Sequence, residues 1–398
     1  MPQELNNIKY IIGNYKVLSK ISEAPVFPLF SDRVLSFLND LSILLMNNPE
    51  AKKMPDVIAF AFWIRKASME KEKIKFKSDI HRIGRGVIFH ITPSNIPVQF
   101  AVSLVYALVS GNASVIKLSD KDFLQVNILC SAIQTLLNNE YKDFIPLICI
   151  VRFGHIDEIT QKISSICDAR LIWGGDSTID AIRKIQAPPR CLDIGFSDRY
   201  SLTVIDSDYY LNTANITILA NDFYNDTYFS DQNACSSPRI VIWIGNNIEK
   251  AKELFWSSVN TIVQKKYNMD PICGSDKLLN TAICAAKYPG IKQEKNDNML
   301  VRVKLPKIYD DIMNHKGNSG YFFEYNTKNL NEILPLLKKE CQTITYIGNL
   351  EDELKKLIDE NYVRGVDRIV PVGHGADISF VWDGIELPFV LSRCISNT

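Results

Sequence analysis

Three short segments of this 398-residue chain combine residue types that can do covalent or electrostatic chemistry. The first, Ser230-Asp231-Gln232-Asn233-Ala234-Cys235-Ser236-Ser237-Pro238-Arg239, sets Cys235 among small and polar residues. A thiolate needs polar, partly open surroundings or a helix N-terminus to form at neutral pH. Most of the other eight cysteines sit in apolar runs such as Leu147-Ile148-Cys149-Ile150-Val151 and read as small core residues. Cys235 is therefore the candidate nucleophile, an inert thiol being the alternative.

The second segment, His90-Ile91-Thr92-Pro93-Ser94-Asn95-Ile96-Pro97, puts a polar turn between a β-branched run and a long apolar stretch. A helix starting there would aim unpaired N–H groups and a positive dipole end at a crevice, with the Asn95 amide beside them. Ser and Asn are also the usual N-caps, so an ordinary capping loop is the competing reading. The third, Trp173-Gly174-Gly175-Asp176-Ser177-Thr178-Ile179, reads as strand, glycine turn and helix start, where backbone can come close to a pyrophosphate. No Gly-x-Gly-x-x-Gly occurs, so the usual dinucleotide fingerprint is missing. The histidines are scattered singly: His90, His155, His315 and His374 read as hydrogen-bonded or exposed groups, and no metal cage is expected.

These segments need a scaffold, and the chain supplies one. From residue 86 short β-branched runs (86–91, 113–118, 144–153, 170–173) alternate with helical stretches at 98–109, 123–137, 155–166 and 177–185. That alternation predicts βαβ units and a doubly wound, mostly parallel sheet, with ligands beyond the carboxyl ends of its strands. A second α/β region follows, with strands at 201–205 and 239–244 and helices at 249–265 and 330–339. The first 80 residues read as helical, the charged stretch 65–77 being a solvated face or connection. The expected division is 1–205 for N-terminal helices and a nucleotide-binding domain, 206–372 for a catalytic domain carrying Cys235, and 373–398 for a tail returning to the cofactor domain or a subunit interface. Lys+Arg and Asp+Glu both number 45, so no basic excess favours nucleic acid or an anionic membrane. The absence of a leader-like start or an apolar run of spanning length predicts a soluble, cytoplasmic protein with reduced thiols.

In this order the segments resemble the aldehyde dehydrogenase superfamily and, within it, the acyl-CoA reductase family that includes the fatty-acid reductases of bacterial luminescence. The resemblance rests on Thr92-Pro93-Ser94-Asn95-Ile96-Pro97, Gly111-Asn112-Ala113-Ser114-Val115-Ile116-Lys117, Ile172-Trp173-Gly174-Gly175-Asp176, Phe196-Ser197-Asp198-Arg199-Tyr200-Ser201, the Cys235 segment, and Arg364-Gly365-Val366-Asp367-Arg368-Ile369-Val370-Pro371-Val372-Gly373. Relatives of this kind also lack the Gly-x-Gly-x-x-Gly fingerprint.

The resemblance implies a doubly wound cofactor domain joined to an α/β catalytic domain. It makes Cys235 the nucleophile and Asn95 the side-chain donor that completes an oxyanion hole. Thr92, Pro93, Lys117, Gly174, Gly175 and Asp176 then contact the cofactor, Lys117 near the adenosine ribose. It further implies NADPH, with NADH as the other possibility, an acyl thioester as substrate, an acyl-protein synthetase or acyl carrier protein as donor partner, and a homo-oligomer. Where many aldehyde dehydrogenases carry a water-activating glutamate, this chain has Leu192-Asp193-Ile194-Gly195-Phe196, placing either Phe196 or Asp193 at that position according to register. Without a hydrolytic base the chemistry favoured is reduction of a thioester to an aldehyde. Acyl transfer or thioester hydrolysis on Cys235, with no redox step, is the alternative.

Overall fold

The computed structural model describes residues 7–154, 156–294 and 297–396, and their contacts divide the chain into two units. The first holds residues up to Ser197 together with those from Ile378 onward, and the second runs from Asp198 to Asp377.

In the first unit, β1 (Lys9–Ile12), β3 (Val87–Ile91), β4 (Ala113–Leu118), β5 (Ile148–Arg152), β6 (Ala169–Trp173) and β7 (Leu192–Phe196) form one sheet in the order β1-β5-β4-β3-β6-β7. All pairings are parallel except β1 with β5. The runs are apolar because helices cover both faces: every residue of β3 and β6 is buried. The crossover helix Gln99–Val109 is buried on all sides, so its sequence is apolar all round rather than amphipathic. Two sequence expectations change here. The stretch read as wholly helical also contributes the antiparallel edge strand β1. The run 144–153 is strand only from Ile148, because Pro146 holds Lys142–Leu147 in a 3₁₀ turn.

After the second unit the chain returns to this one. Phe380 packs edge-on to Phe30, Phe76 and Tyr106, and Trp382-Asp383-Gly384 makes the tight hairpin between β15 (Val381–Trp382) and β16 (Ile385–Glu386). Asp383 and Gly384 have φ of 49° and 71°, the left-handed pair such a two-residue turn requires. Strand β17 (Ser392–Ile395) then pairs antiparallel with β2 (His81–Gly84), and Asn112 Nδ2 donates to the Leu391 carbonyl at 2.9 Å.

The second unit is built on a seven-stranded sheet in the order β10-β11-β12-β9-β8-β13-β14. Its strands are β8 (Tyr200–Asp206), β9 (Pro238–Ile244), β10 (Lys292–Gln293), β11 (Val301–Lys304), β12 (Tyr321–Thr327), β13 (Cys341–Ile347) and β14 (Arg368–Pro371). Only β10 runs antiparallel to its neighbour. Because Tyr200 already opens a strand of this sheet, the division falls after Ser197 and not after residue 205. The stretch expected as a helix at 330–339 is a 3₁₀ turn, Leu330–Leu336, with Pro335 inside it. Among the described residues no helix is long and apolar enough to cross a membrane.

Candidate active site

The first unit carries a cleft of about 730 Å³, lined by the carboxyl ends of β3, β4 and β6 and by the residues that follow them. Thr92, Pro93, Asn95, Lys117, Gly174 and Gly175 all line it. Thr92 is pinned to the end of β4, its Oγ1 donating to the Lys117 carbonyl at 2.8 Å. Asn95 is exposed in the bend that follows. The helix does not start at Ser94 or Asn95: it runs Gln99–Val109 with Val98 at its cap and no side-chain cap bond. The capping reading of Ser94 and Asn95 therefore fails, because Pro97 delays the helix by a turn, and the Asn95 amide is left at the cleft.

Lys117 is half-buried, its Nζ 4.8 Å from the centre of the Phe153 ring. Burial pulls its amine below the usual lysine value, and Asp120 works against that pull. The glycine turn is as its sequence predicts: β6 ends at Trp173 and the helix Asp176–Lys184 begins with Gly175 at its cap. A Cβ on Gly175 would meet nothing within 4 Å, so this backbone is open, whereas one on Gly174 would come within 3.2 Å of Thr178. Asp176 is the first helical residue and not the cap. A cleft of this size, with an open glycine at a helix start and a lysine amine at a strand end, fits a nicotinamide dinucleotide.

The Leu192–Phe196 stretch forms β7 of this unit. Asp193 stands near the amino end of β7, where Arg170 donates to both of its oxygens at 2.6 Å. Phe196 stands at the carboxyl end, stacked on Trp173 with centroids 3.9 Å apart. His90 is buried between Ser103 Oγ at 2.6 Å and Ser114 Oγ at 3.2 Å, and burial pushes its imidazole down to about 3. His315 lies 3.3 Å from Lys287 Nζ and His374 2.8 Å from Asp377, while His155 falls outside the described residues.

In the second unit, Cys235 is half-exposed in a turn closed by the Ser237 amide donating to the Ala234 carbonyl at 3.0 Å. Just upstream Asp231 and Gln232 take left-handed backbone, with φ of 52° and 59°. Strain of that kind persists only where the surroundings over-determine it, and here they do. The fully buried Gln232 donates through Nε2 to the Pro238 and Tyr321 carbonyls at 2.8 and 3.1 Å, and its Oε1 accepts from the Gly320 and Tyr321 amides at 3.0 and 3.1 Å. Ser201 Oγ donates to the Cys235 carbonyl itself at 2.7 Å. Arg239 is 4% exposed and donates to the Gly317 carbonyl at 2.5 Å and to Asn318 Oδ1. Burial pushes this guanidinium down to about 10, against the opposing pull of Cys235 and Asp198. The guanidinium therefore stands within electrostatic reach of Cys235.

The sequence reading missed the supporting residues. Arg239 and Gln232 belong to the Cys235 segment with no role evident from their types, and nothing in the residue types marks Asp231 and Gln232 as a left-handed pair. Asp226 gave no signal at all. It is buried, accepts from the Gly373, Gly375 and Ala376 amides at 2.7, 2.9 and 3.3 Å, and is pushed up to about 6 by burial. This is the physical content of the Pro371-Val372-Gly373 segment: Gly373 has φ 97°, and a Cβ there would strike Asp222 at 2.8 Å. Cys235 is not the only thiol at the surface, since Cys191 and Cys273 are half-exposed and Cys394 is exposed.

Residues 15–284 match the protein family described as acyl-CoA reductase (LuxC). The chain belongs to that family. The matched stretch contains Asn95, Lys117, the glycine turn and Cys235 of this acyl-CoA reductase relative, and ends before the glycine-rich segment at 364–373. Similar curated proteins include the long-chain acyl-protein thioester reductase of Photobacterium phosphoreum, 26% identical over 300 residues that cover 73% of this chain and 57% of the relative. That of Aliivibrio fischeri is 24% identical over 299 residues, covering 73% and 58%. The chain thus spans less than two thirds of the length of the curated acyl-CoA reductase relatives it matches. Among solved structures, an NAD-dependent benzaldehyde dehydrogenase from Corynebacterium glutamicum superposes with a TM-score of 0.64 at 12% identity, over 89% of this chain and 83% of that one. Methylmalonate-semialdehyde dehydrogenase from Oceanimonas doudoroffii gives 0.64 at 11%, over 92% and 82%. The fold is that of the aldehyde dehydrogenases.

Proposed function

We propose that the chain reduces an acyl thioester to an aldehyde with a nicotinamide dinucleotide, by way of an acyl group carried on Cys235. The observation that carries this reading is the Cys235 loop, a half-exposed thiol fixed by buried hydrogen bonds with a buried guanidinium beside it. Cys235 attacks the thioester carbonyl, the C=O electron pair moves onto oxygen, and the tetrahedral centre collapses by expelling the donor thiolate. The Asn95 amide, with the backbone N–H of Cys235, holds the negative oxygen. A nicotinamide dinucleotide bound in the cleft would supply the hydride, and the Cys235 sulfur would be the leaving group of the acyl carbon. Thr92, Pro93, Lys117, Gly174, Gly175 and the helix start at Asp176 would hold the dinucleotide. Lys117 is compatible with the 2′-phosphate of NADPH, which we take as the preferred cofactor over NADH. The names of the relatives support a long-chain acyl group carried as a protein thioester, and an acyl-protein synthetase or acyl carrier protein is the donor partner this reading takes. A soluble cytoplasmic homo-oligomer completes the reading.

What supports retention of the acyl group in this reading is β7, where Asp193 is held by Arg170 and Phe196 is the residue at the carboxyl end. Water attack without a general base loses a factor of about 10² to 10⁴. Mixing the protein with acyl-CoA alone should therefore give an adduct on Cys235 that persists by mass spectrometry, and NADPH added later should discharge it as aldehyde. Prompt release of free acid without cofactor would overturn the reductase reading and favour a thioesterase.

A further inference from the structure

A second thiol site lies at the opposite ends of the strands from the cleft. Cys167 and Cys191 precede β6 and β7, and their sulfurs are 3.7 Å apart. The register explains why. Ala169 pairs with Leu192, and the Leu192 amide donates to the Asp168 carbonyl at 3.1 Å, so the two chains still run side by side at Asp168 and Cys191. With strands about 4.8 Å apart and about 3.3 Å per residue, the Cα atoms of Cys167 and Cys191 stand about 6 Å apart. That lies within the range of about 4.4–6.8 Å a disulfide spans.

The two thiols are not equivalent. Cys167 is 1% exposed and donates to the Ser164 carbonyl at 3.2 Å, whereas Cys191 is half-exposed. The hydrogen bond shared with Cys167 holds the Cys191 thiol below its usual value, and the Arg170 guanidinium helps, against burial, Asp193 and Asp168. Arginines gather nearby: burial, then the like charges of Arg82 and Arg190, hold Arg85 below its usual value, and Arg190 is exposed next to Cys191 in the chain.

We propose that Cys191 and Cys167 form a modification site for anionic low-molecular-weight disulfides, Cys191 being the attacked thiol and Cys167 the resolving one. The Cys191 thiolate attacks one sulfur of the small disulfide, whose S–S bond breaks and whose other half leaves as a thiolate that takes up the proton Cys191 lost. Cys167 then gives up its proton and attacks Cys191 Sγ, expelling the second small thiol. The protein thiols lose two protons and two electrons, and the small disulfide gains them as two thiols. This inference is independent of the proposed reaction at Cys235.

Incubating the folded wild-type chain with glutathione disulfide and mapping tryptic peptides tests it. Linked peptides 163–170 and 191–199 are expected, reversed by dithiothreitol. Cys167→Ser should instead accumulate a glutathione adduct on Cys191, and Cys191→Ser should leave Cys167 reduced. Cationic cystamine should react at Cys191 about tenfold more slowly than glutathione disulfide at low salt, with the gap closing as salt is added. Wild-type protein in which Cys394 is modified while Cys191 stays reduced would overturn the proposal without reliance on any variant. So would a Cys191 adduct that Cys167 never resolves.

Discussion

Around Cys235 the polar groups are spent on the protein itself: Gln232 makes four hydrogen bonds to backbone, Ser201 holds the Cys235 carbonyl, and Arg239 holds Gly317 and Asn318. At the glycine turn of the other unit the reverse holds. Gly175 faces open space, the helix Asp176–Lys184 starts without a side-chain cap, and the cleft is bounded by strand ends and proline rather than by a locked network. The contrast separates two tasks. On the proposed function, a group that must sit at one place on a reacting carbon is over-determined by its surroundings, whereas the open backbone at Gly175 is left for a ligand to approach.

The comparison breaks most readily at Cys235. Cys235→Ala should abolish both acyl labelling from a radiolabelled thioester and cofactor oxidation, and surviving label would move the nucleophile elsewhere. Asn95→Ala should lower turnover by about 10² to 10³ with cofactor affinity intact, as for loss of one oxyanion donor. Unchanged turnover would make Asn95 a residue of the cleft wall only. Gln232→Ala tests the locking of the loop. It strands two carbonyls and two amides in the interior and should cost about 2–4 kcal/mol in denaturant unfolding while slowing acyl labelling.

The smallest effect is a difference in how the two units respond to acid. His90 in the first unit is pushed down to about 3 from 6.5, so the unfolded chain binds more protons between those values and the stability it contributes, present above pH 6.5, is lost as pH falls. Asp226 in the second is pushed up from 3.8 to about 6, so its contribution is present below pH 3.8 and is lost as pH rises through 6. Between about pH 4 and 6 the two slopes oppose each other at about 1.4 kcal/mol per pH unit. Unfolding curves of His90→Gln and Asp226→Asn, each subtracted from wild type across that window, should slope in opposite directions. Parallel curves would remove the distinction.

The parallel strands β3, β4, β5 and β6 of the first sheet and β8 and β9 of the second were legible because buried strands between helices leave uninterrupted apolar runs, and so was the glycine turn at 174–175, whereas β7, β11, β12, β13 and β14 were not. Pro146 and Pro335 misled the reading at two places where apolar periodicity continued through a 3₁₀ turn. The strand β1 was hidden because four residues at a sheet edge carry too little pattern to stand out from the helices after them. At the site, Cys235 showed itself by its polar neighbours. Asp226 could not, because its three partners lie about 150 positions away in the sequence and are backbone amides, which leave no mark on residue type.

The return of the chain at Ile378 bears on how the molecule is made. Phe380, Leu387 and Leu391 are fully buried in the core of the first unit, yet the chain reaches them only after all 180 positions from Asp198 to Asp377. During synthesis the second unit therefore leaves the ribosome whole while the first still lacks the side chains that cover Phe30, Phe76 and Tyr106. The earlier-made unit must wait, partly uncovered, for the later one, and a nascent chain halted between them would present that aromatic surface to chaperones.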